Sequence, residues 1–413
     1  GHSGWANNAA LAAAGITPTT KDPAGGHIER LAGKPTGLLG ESAMALVARA
    51  VPPPRPEDRD LALAEAQEAL LRHGITSVTD MGTTIEDWQA YRRAGDAGRL
   101  RLRVLAYAAG TEAMSLIAGP GPSPWLYDDR LRLGGVTLVA DGALATRGAL
   151  LGAPYADSPT ATGLARLNET QLRNLMSRAA IDRFQVAVEA HGDKAVSQAV
   201  AAFAELAQTY KGDRRWRIDG AEVVAPADGA RLAAGGITVV AQPMALAPAL
   251  AETRIGATRL GAVQAWASLT RAGVPLAFGS SANGPAQLSP WAGLAVAITR
   301  QDAAGQPYGG WQPQERLTRE AALAAYTGGA AAAGKRERTA RDEGARNLGG
   351  RPQGLGRGRR RRTGGRWPLA FVQRRWRHDR RQTVLPARFP RGLAIAQPHH
   401  DQRGLEQQHQ RHG

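Results

Sequence analysis

Seven short runs rich in apolar and β-branched residues recur along the chain, and the stretches between them carry the periodicity of helices. That alternation leaves few folds open. The runs lie at 74–82 (GITSVTDMG), 102–110 (LRVLAYAAG), 134–144 (GGVTLVADGAL), 184–192 (FQVAVEAHG), 216–224 (WRIDGAEVV), 236–244 (GITVVAQPM) and 274–282 (VPLAFGSSA). Strands that alternate with helices in this way predict a parallel sheet wrapped by helices. The helical stretch at 56–74 opens after a Pro-rich segment, and another begins after Asn168, a residue type that caps helices. A closed barrel needs eight strands, so the expected fold is α/β, a (β/α)8 barrel whose first strand is missing and falls before Gly1. The first 26 residues read as loop and short helix.

The net charge of +16 over 413 residues suggests a nucleic-acid partner until it is located along the chain. Residues 335–413 hold 21 Lys and Arg against 6 Asp and Glu, whereas residues 1–334 hold 31 against 30. Two regions follow: a barrel at 1–334 and an Arg-rich tail at 335–413 with little apolar periodicity, expected to be disordered or non-native. Trp367 and Trp376 offer stacking faces beside the tail arginines. A frame-shifted reading of a GC-rich coding sequence explains the same composition, and it is the favoured reading, so nucleic acid is not the expected partner. The absence of cysteine excludes disulfides and thiolate chemistry. No apolar run approaches the roughly 20 residues that span a bilayer. A soluble chain, cytoplasmic or periplasmic, is expected, and an oligomer stays open.

The phrases GHSGWANNAAL, GITSVTDMG, LRLGGVTLVADGALATRGALLGAPYAD, QVAVEAHGDKAV, RRWRIDGAEVVAPAD, VVAQPMAL and VPLAFGSSANGP stand in a fixed order over residues 1–334. In that order and spacing the chain resembles amidohydrolase family 3, the N-substituted formamide deformylase-like members of the metal-dependent hydrolases. The resemblance implies a barrel with a divalent metal, zinc for preference, at the C-terminal strand ends. There the metal activates water for attack on an amide-type carbon in a small substrate. It also implies a ligand set: HxH on the first strand, a lysine on the fourth, histidines on the fifth and sixth, and an aspartate on the eighth.

Those positions carry other residues here. The HxH falls upstream of Gly1. Thr137 stands at the lysine position, and Glu189 at the fifth-strand histidine, with the imidazole displaced to His191. Gly220 and Ala245 replace two further histidines, and Ser281 replaces the aspartate that moves the proton. Before the tail only His2, His27, His73 and His191 occur, and only His191 falls at the end of a candidate strand. Metal is therefore expected to be absent or weakly bound.

Asp141, Glu189 and His191 are the candidate catalytic residues, with Asp193 as a further donor to a replacement metal site. Arg147 and Asp193 are candidate substrate contacts, in loops at the barrel mouth. The competing reading makes Asp193 the cap of a helix from Lys194 and pairs Glu189 with Arg147. Ser280 and Ser281 lack a second histidine as base and read as a turn. The expected function is that of a hydrolase of non-peptide carbon–nitrogen bonds, with little or no hydrolysis by this chain alone. Alternatives are a catalytically silent small-molecule-binding barrel and nucleic-acid binding through the tail.

Overall fold

The computed structural model of the chain describes residues 2–280 and 288–334, which form two sheets and the helices around them. The smaller sheet is antiparallel, with β1 (Ser3–Trp5), β2 (Gly26–Leu31) and β3 (Lys34–Glu41) in the order β1-β3-β2. Between β2 and β3 the turn residues Ala32 and Gly33 have φ of 49° and 77°. Such left-handed pairs let a two-residue turn follow the twist of its strands. Ile28 and Leu39 face each other across the hairpin and pack with Leu11 and Ile16. The helix Asn8–Ala13 is capped by Asn7, whose side chain accepts the Ala10 N–H. The sequence reading of loop and short helix for the first 26 residues is met by that helix but misses β1. Its three residues are strand because they pair with Leu38, Leu39 and Gly40, not by local propensity.

The larger sheet is parallel and curled. Its strands are β4 (Ser77–Thr83), β5 (Arg103–Ala109), β6 (Leu131–Val139), β7 (Gln185–Ala190), β8 (Arg217–Gly220), β9 (Thr238–Ala241) and β10 (Leu276–Phe278). They lie side by side in chain order, every neighbour parallel. All seven expected runs contribute a strand to it, although β6 begins earlier than its run and stops at Val139. Among the described residues β4 and β10 are the edges.

Helices cover one face of this sheet. Pro56–Arg72 and Glu169–Ile181 start where the sequence placed them, the second with Asn168 and Gln171 exchanging hydrogen bonds at its N-terminus. Val104, Val136, Val186, Val188 and Ile218 point into the layer between strands and helices with Met176, Val200 and Phe203. The opposite, concave face holds Leu105, Tyr107 and Ala187. Arg217 lies there too, 5.3 Å from the centre of the Tyr107 ring and doubly hydrogen-bonded to Asp219 at 2.7 and 3.0 Å. No helix among the described residues is long and apolar enough to cross a membrane.

Register decides what meets at the C-terminal strand ends. Val139, Glu189 and Asp219 stand abreast on β6, β7 and β8, and Ala190 is beside Gly220. Thr137 and Ala187 are paired two residues below, on the same face as Glu189 because side chains alternate along a strand.

Candidate functional site

Glu189 occupies the last turn of pleat on β7, and the chain leaves the strand into His191. Two residues apart, both side chains reach the same place, where His191 Nε2 is 3.2 Å from Glu189 Oε1. A second imidazole arrives from the small sheet. His2, just ahead of β1, sets its Nε2 3.5 Å from the same Glu189 oxygen. The two rings meet edge to face at 5.3 Å.

Each ring presents its other nitrogen to a further carboxylate. His2 Nδ1 lies 3.3 Å from Glu41 at the end of β3. His191 Nδ1 is 3.2 Å from Glu222 Oε1, within ion-pair range but not aligned as a hydrogen bond. Glu41 is buried and also accepts the Ala143 N–H, the Thr146 hydroxyl and Arg166. It thereby ties the small sheet to the loop after β6.

The charges follow from these contacts. The Glu189 and Glu41 carboxylates raise the His2 ring to about 9 against the cost of burial. Burial pulls His191 down, yet Glu189 and Glu222 leave it well above the ordinary histidine value. His191 and His2 hold Glu189 well below the carboxylate range. Burial raises Glu41, but His2, Thr146, the Ala143 N–H and Arg166 outweigh it and bring the carboxyl to about 2. Without a metal the surrounding carboxylates favour the protonated form of both rings, against burial and, at His2, the neighbouring His191.

The sequence candidates separate into two groups. Glu189 and His191 come together, whereas Asp141 lies beneath them with 0% exposure. Its carboxylate accepts the N–H groups of Leu150, His191 and Gly192 at 2.8 to 2.9 Å. Burial pushes it up to about 6. This carboxylate fixes the loop that carries His191 and is not one of the grouped ligand atoms. Arg147 pairs with Asp157 at 2.7 Å, so the expected pair between Glu189 and Arg147 is replaced by Glu189 with the two histidines. Asp193 is the first residue of the helix Asp193–Thr209 and not its cap, which is Gly192. Its Oδ1 accepts from the N–H groups of Lys194 and Gly152, joining the start of this helix to the loop at Gly152.

The substituted positions contribute no donor. Thr137 is buried with its hydroxyl unpartnered, Gly220 has no side chain, and Ala245 ends a short 3-10 turn. Ser281 lies outside the described residues, as does the tail from residue 335. His27 pairs with Asp22 at 2.8 Å on β2, and His73 ends the helix Pro56–Arg72, both away from the cluster. The residues that sequence reasoning missed are His2, Glu41 and Glu222. His2 was visible in the histidine census but was passed over because it does not end a strand of the large sheet.

A divalent metal fits this donor set. His2, Glu189 and His191 each offer one ligand atom, all within 4.8 Å of one another. Two imidazoles and one carboxylate form a recognised catalytic zinc set. The correction to the sequence reading is specific: one imidazole at the strand ends becomes two, because the small sheet brings in the second.

Parallel strands in chain order, covered by helices and ending at a carboxylate–imidazole cluster, form a curled α/β half-barrel with its polar cluster at the C-terminal strand ends. A profile described as "Amidohydrolase family" matches residues 1–341, and the chain belongs to that family. It is 33% identical to the protein LONG AFTER FAR-RED 3 of Arabidopsis thaliana, over 81% of this chain and 59% of that protein. It is 28% identical to the N-substituted formamide deformylase of Arthrobacter pascens, over 79% of this chain and 61% of that enzyme. An uncharacterized metal-dependent hydrolase from Pyrococcus furiosus superposes with a TM-score of 0.66 at 27% identity, over 81% of this chain and 66% of that one. The chain therefore spans about three fifths of the length of these curated relatives.

Proposed function

We propose that the chain acts on a carbon–nitrogen bond, other than a peptide bond, in a small amide-type molecule bound at the mouth of β6, β7 and β8. The observation that carries this reading is the convergence of His2, Glu189 and His191 where β7 ends. Family membership supports hydrolysis as the class of chemistry, and the likeness to a formamide deformylase suggests an N-substituted formamide as the first substrate to try. Closure of the curled sheet into a complete eight-stranded barrel belongs to the same proposal.

His2, Glu189 and His191 would hold a divalent metal. When bound, the ion supplies Lewis acidity toward a carbonyl oxygen and toward water. The chain's own groups do the rest. Glu41 orients the His2 ring through a hydrogen bond to its outer nitrogen, and Glu222 faces the outer nitrogen of His191 at ion-pair distance. Asp141 holds the backbone of His191 and Gly192. Ser281 cannot serve as a general base in place of a carboxylate, so turnover by this chain is slow. The test is hydrolysis of an N-substituted formamide by the full chain supplied with zinc. Metal-dependent turnover abolished in Glu189→Ala supports the reading. No turnover alongside retained binding of the amide favours a silent binding barrel, a reading that rests on Thr137, Gly220 and Ala245, which carry neither imidazole nor carboxylate.

A further inference from the structure

We infer that the mouth is a one-ion site assembled across two sheets, with His2 supplied by the antiparallel sheet, Glu189 and His191 by the parallel one, and Glu41 and Glu222 as positioning residues. This rests on the reading of the mouth as the working site, but it concerns ion binding and is measured without turnover.

Distances support the first half. Around tetrahedral zinc, ligand atoms about 2.0–2.2 Å from the ion lie about 3.3 Å from one another. The Glu189 oxygen is 3.2 Å from His191 Nε2 and 3.5 Å from His2 Nε2. His2 turns its second nitrogen to Glu41 in a hydrogen bond, the arrangement that fixes ring orientation and raises basicity in histidine-ligated metal sites, and Glu222 stands at ion-pair distance from the second nitrogen of His191. Glu41 does more than orient a ring. Through Ala143, Thr146 and Arg166 it anchors the end of β3 to the loop after β6, which brings His2 within reach of Glu189.

The count of one follows from what surrounds the cluster. A second ion needs its own set of donors, and among the described residues no second group of three His, Asp or Glu ligand atoms lies close enough together to hold one. Thr137, Gly220 and Ala245 carry neither imidazole nor carboxylate. The Asp141 oxygens accept three backbone N–H groups, and both Asp219 oxygens face Arg217.

The experiment uses the full chain stripped by chelation and titrated with Zn²⁺ and Co²⁺, reading metal content by mass spectrometry and the visible absorption of bound Co²⁺. Histidines 378, 399, 400, 409 and 412 are an independent source of binding, so occupancy is taken as wild type minus Glu189→Gln. The expected difference is one equivalent, and Glu41→Gln should weaken that equivalent about 10- to 100-fold. X-ray absorption of the zinc-loaded wild type should report two imidazoles and a carboxylate, which keeps the inference testable if a variant fails to fold. A difference of two equivalents or of none, or a shell of imidazoles alone, overturns it. One equivalent bound without formamide turnover leaves this inference standing and removes the hydrolase reading. Turnover with no ion bound does the reverse.

Discussion

The imidazole of His191 fills the space that a side chain on residue 220 would need. A Cβ built on Gly220 would sit 2.9 Å from both Cε1 and Nδ1 of the ring, and Gly220 itself has a φ of +94°, where a side chain is strained. The sequence resemblance implies an imidazole at this sixth-strand position, where this chain carries glycine. His191 brings one from the neighbouring strand into that volume.

Gly220→Ala should therefore act twice. It strains the backbone and pushes the His191 ring from Glu189 and Glu222. We expect a loss of about 1–3 kcal/mol in denaturant unfolding and weaker zinc binding in the same protein. Unchanged zinc affinity would mean that the ring does not depend on the cavity beside Gly220.

Much of this was legible in the sequence, and the boundary is physical. The seven parallel strands were visible because buried strands of a parallel sheet read as near-continuous apolar runs, as Val186, Ala187 and Val188 do within β7. Glu189 and His191 were visible because charged and aromatic-nitrogen side chains interrupt such a run at its end. Glu41 was not, because the sequence around it, GLLGES, has no feature that singles out a carboxylate with four partners. Nor was His2, whose place depends on β1 pairing with β3 some 35 residues onward. Contacts between elements distant in the chain leave no local periodicity. Asp141 and Arg147 shared a well-matched loop phrase, yet one turned inward to backbone N–H groups and the other outward to Asp157. Composition does not tell those orientations apart.

The outward pair gives a pH prediction. Arg147 beside Asp157, reinforced by Arg254, holds that carboxyl below its ordinary value of 3.8. A carboxyl with a folded value below its unfolded one contributes stability above the unfolded value and loses it as pH falls through the folded one. Asp157→Asn should lower stability at pH 7 by about 1 kcal/mol or less, since the pair is partly exposed. The gap between variant and wild type should close as pH falls well below the ordinary carboxyl value of 3.8 in urea unfolding. A gap that widens in acid would contradict the assigned pairing.

The concave face offers the strongest test of the fold itself. Arg217 is buried beneath the Tyr107 ring with Asp219 as its counter-ion. Burial pushes the Asp219 carboxyl up, and Arg217 opposes that rise. Removing one partner of such a pair leaves an uncompensated charge in a poorly solvated place, whereas replacing both removes the desolvation cost with the attraction. Asp219→Ala should then cost about 3–5 kcal/mol in chemical unfolding, and the double variant Arg217→Met with Asp219→Leu should cost clearly less than the single one. Additive losses in the two residues would show that the guanidinium reaches solvent and that the concave face is wetter than its packing around Tyr107 indicates.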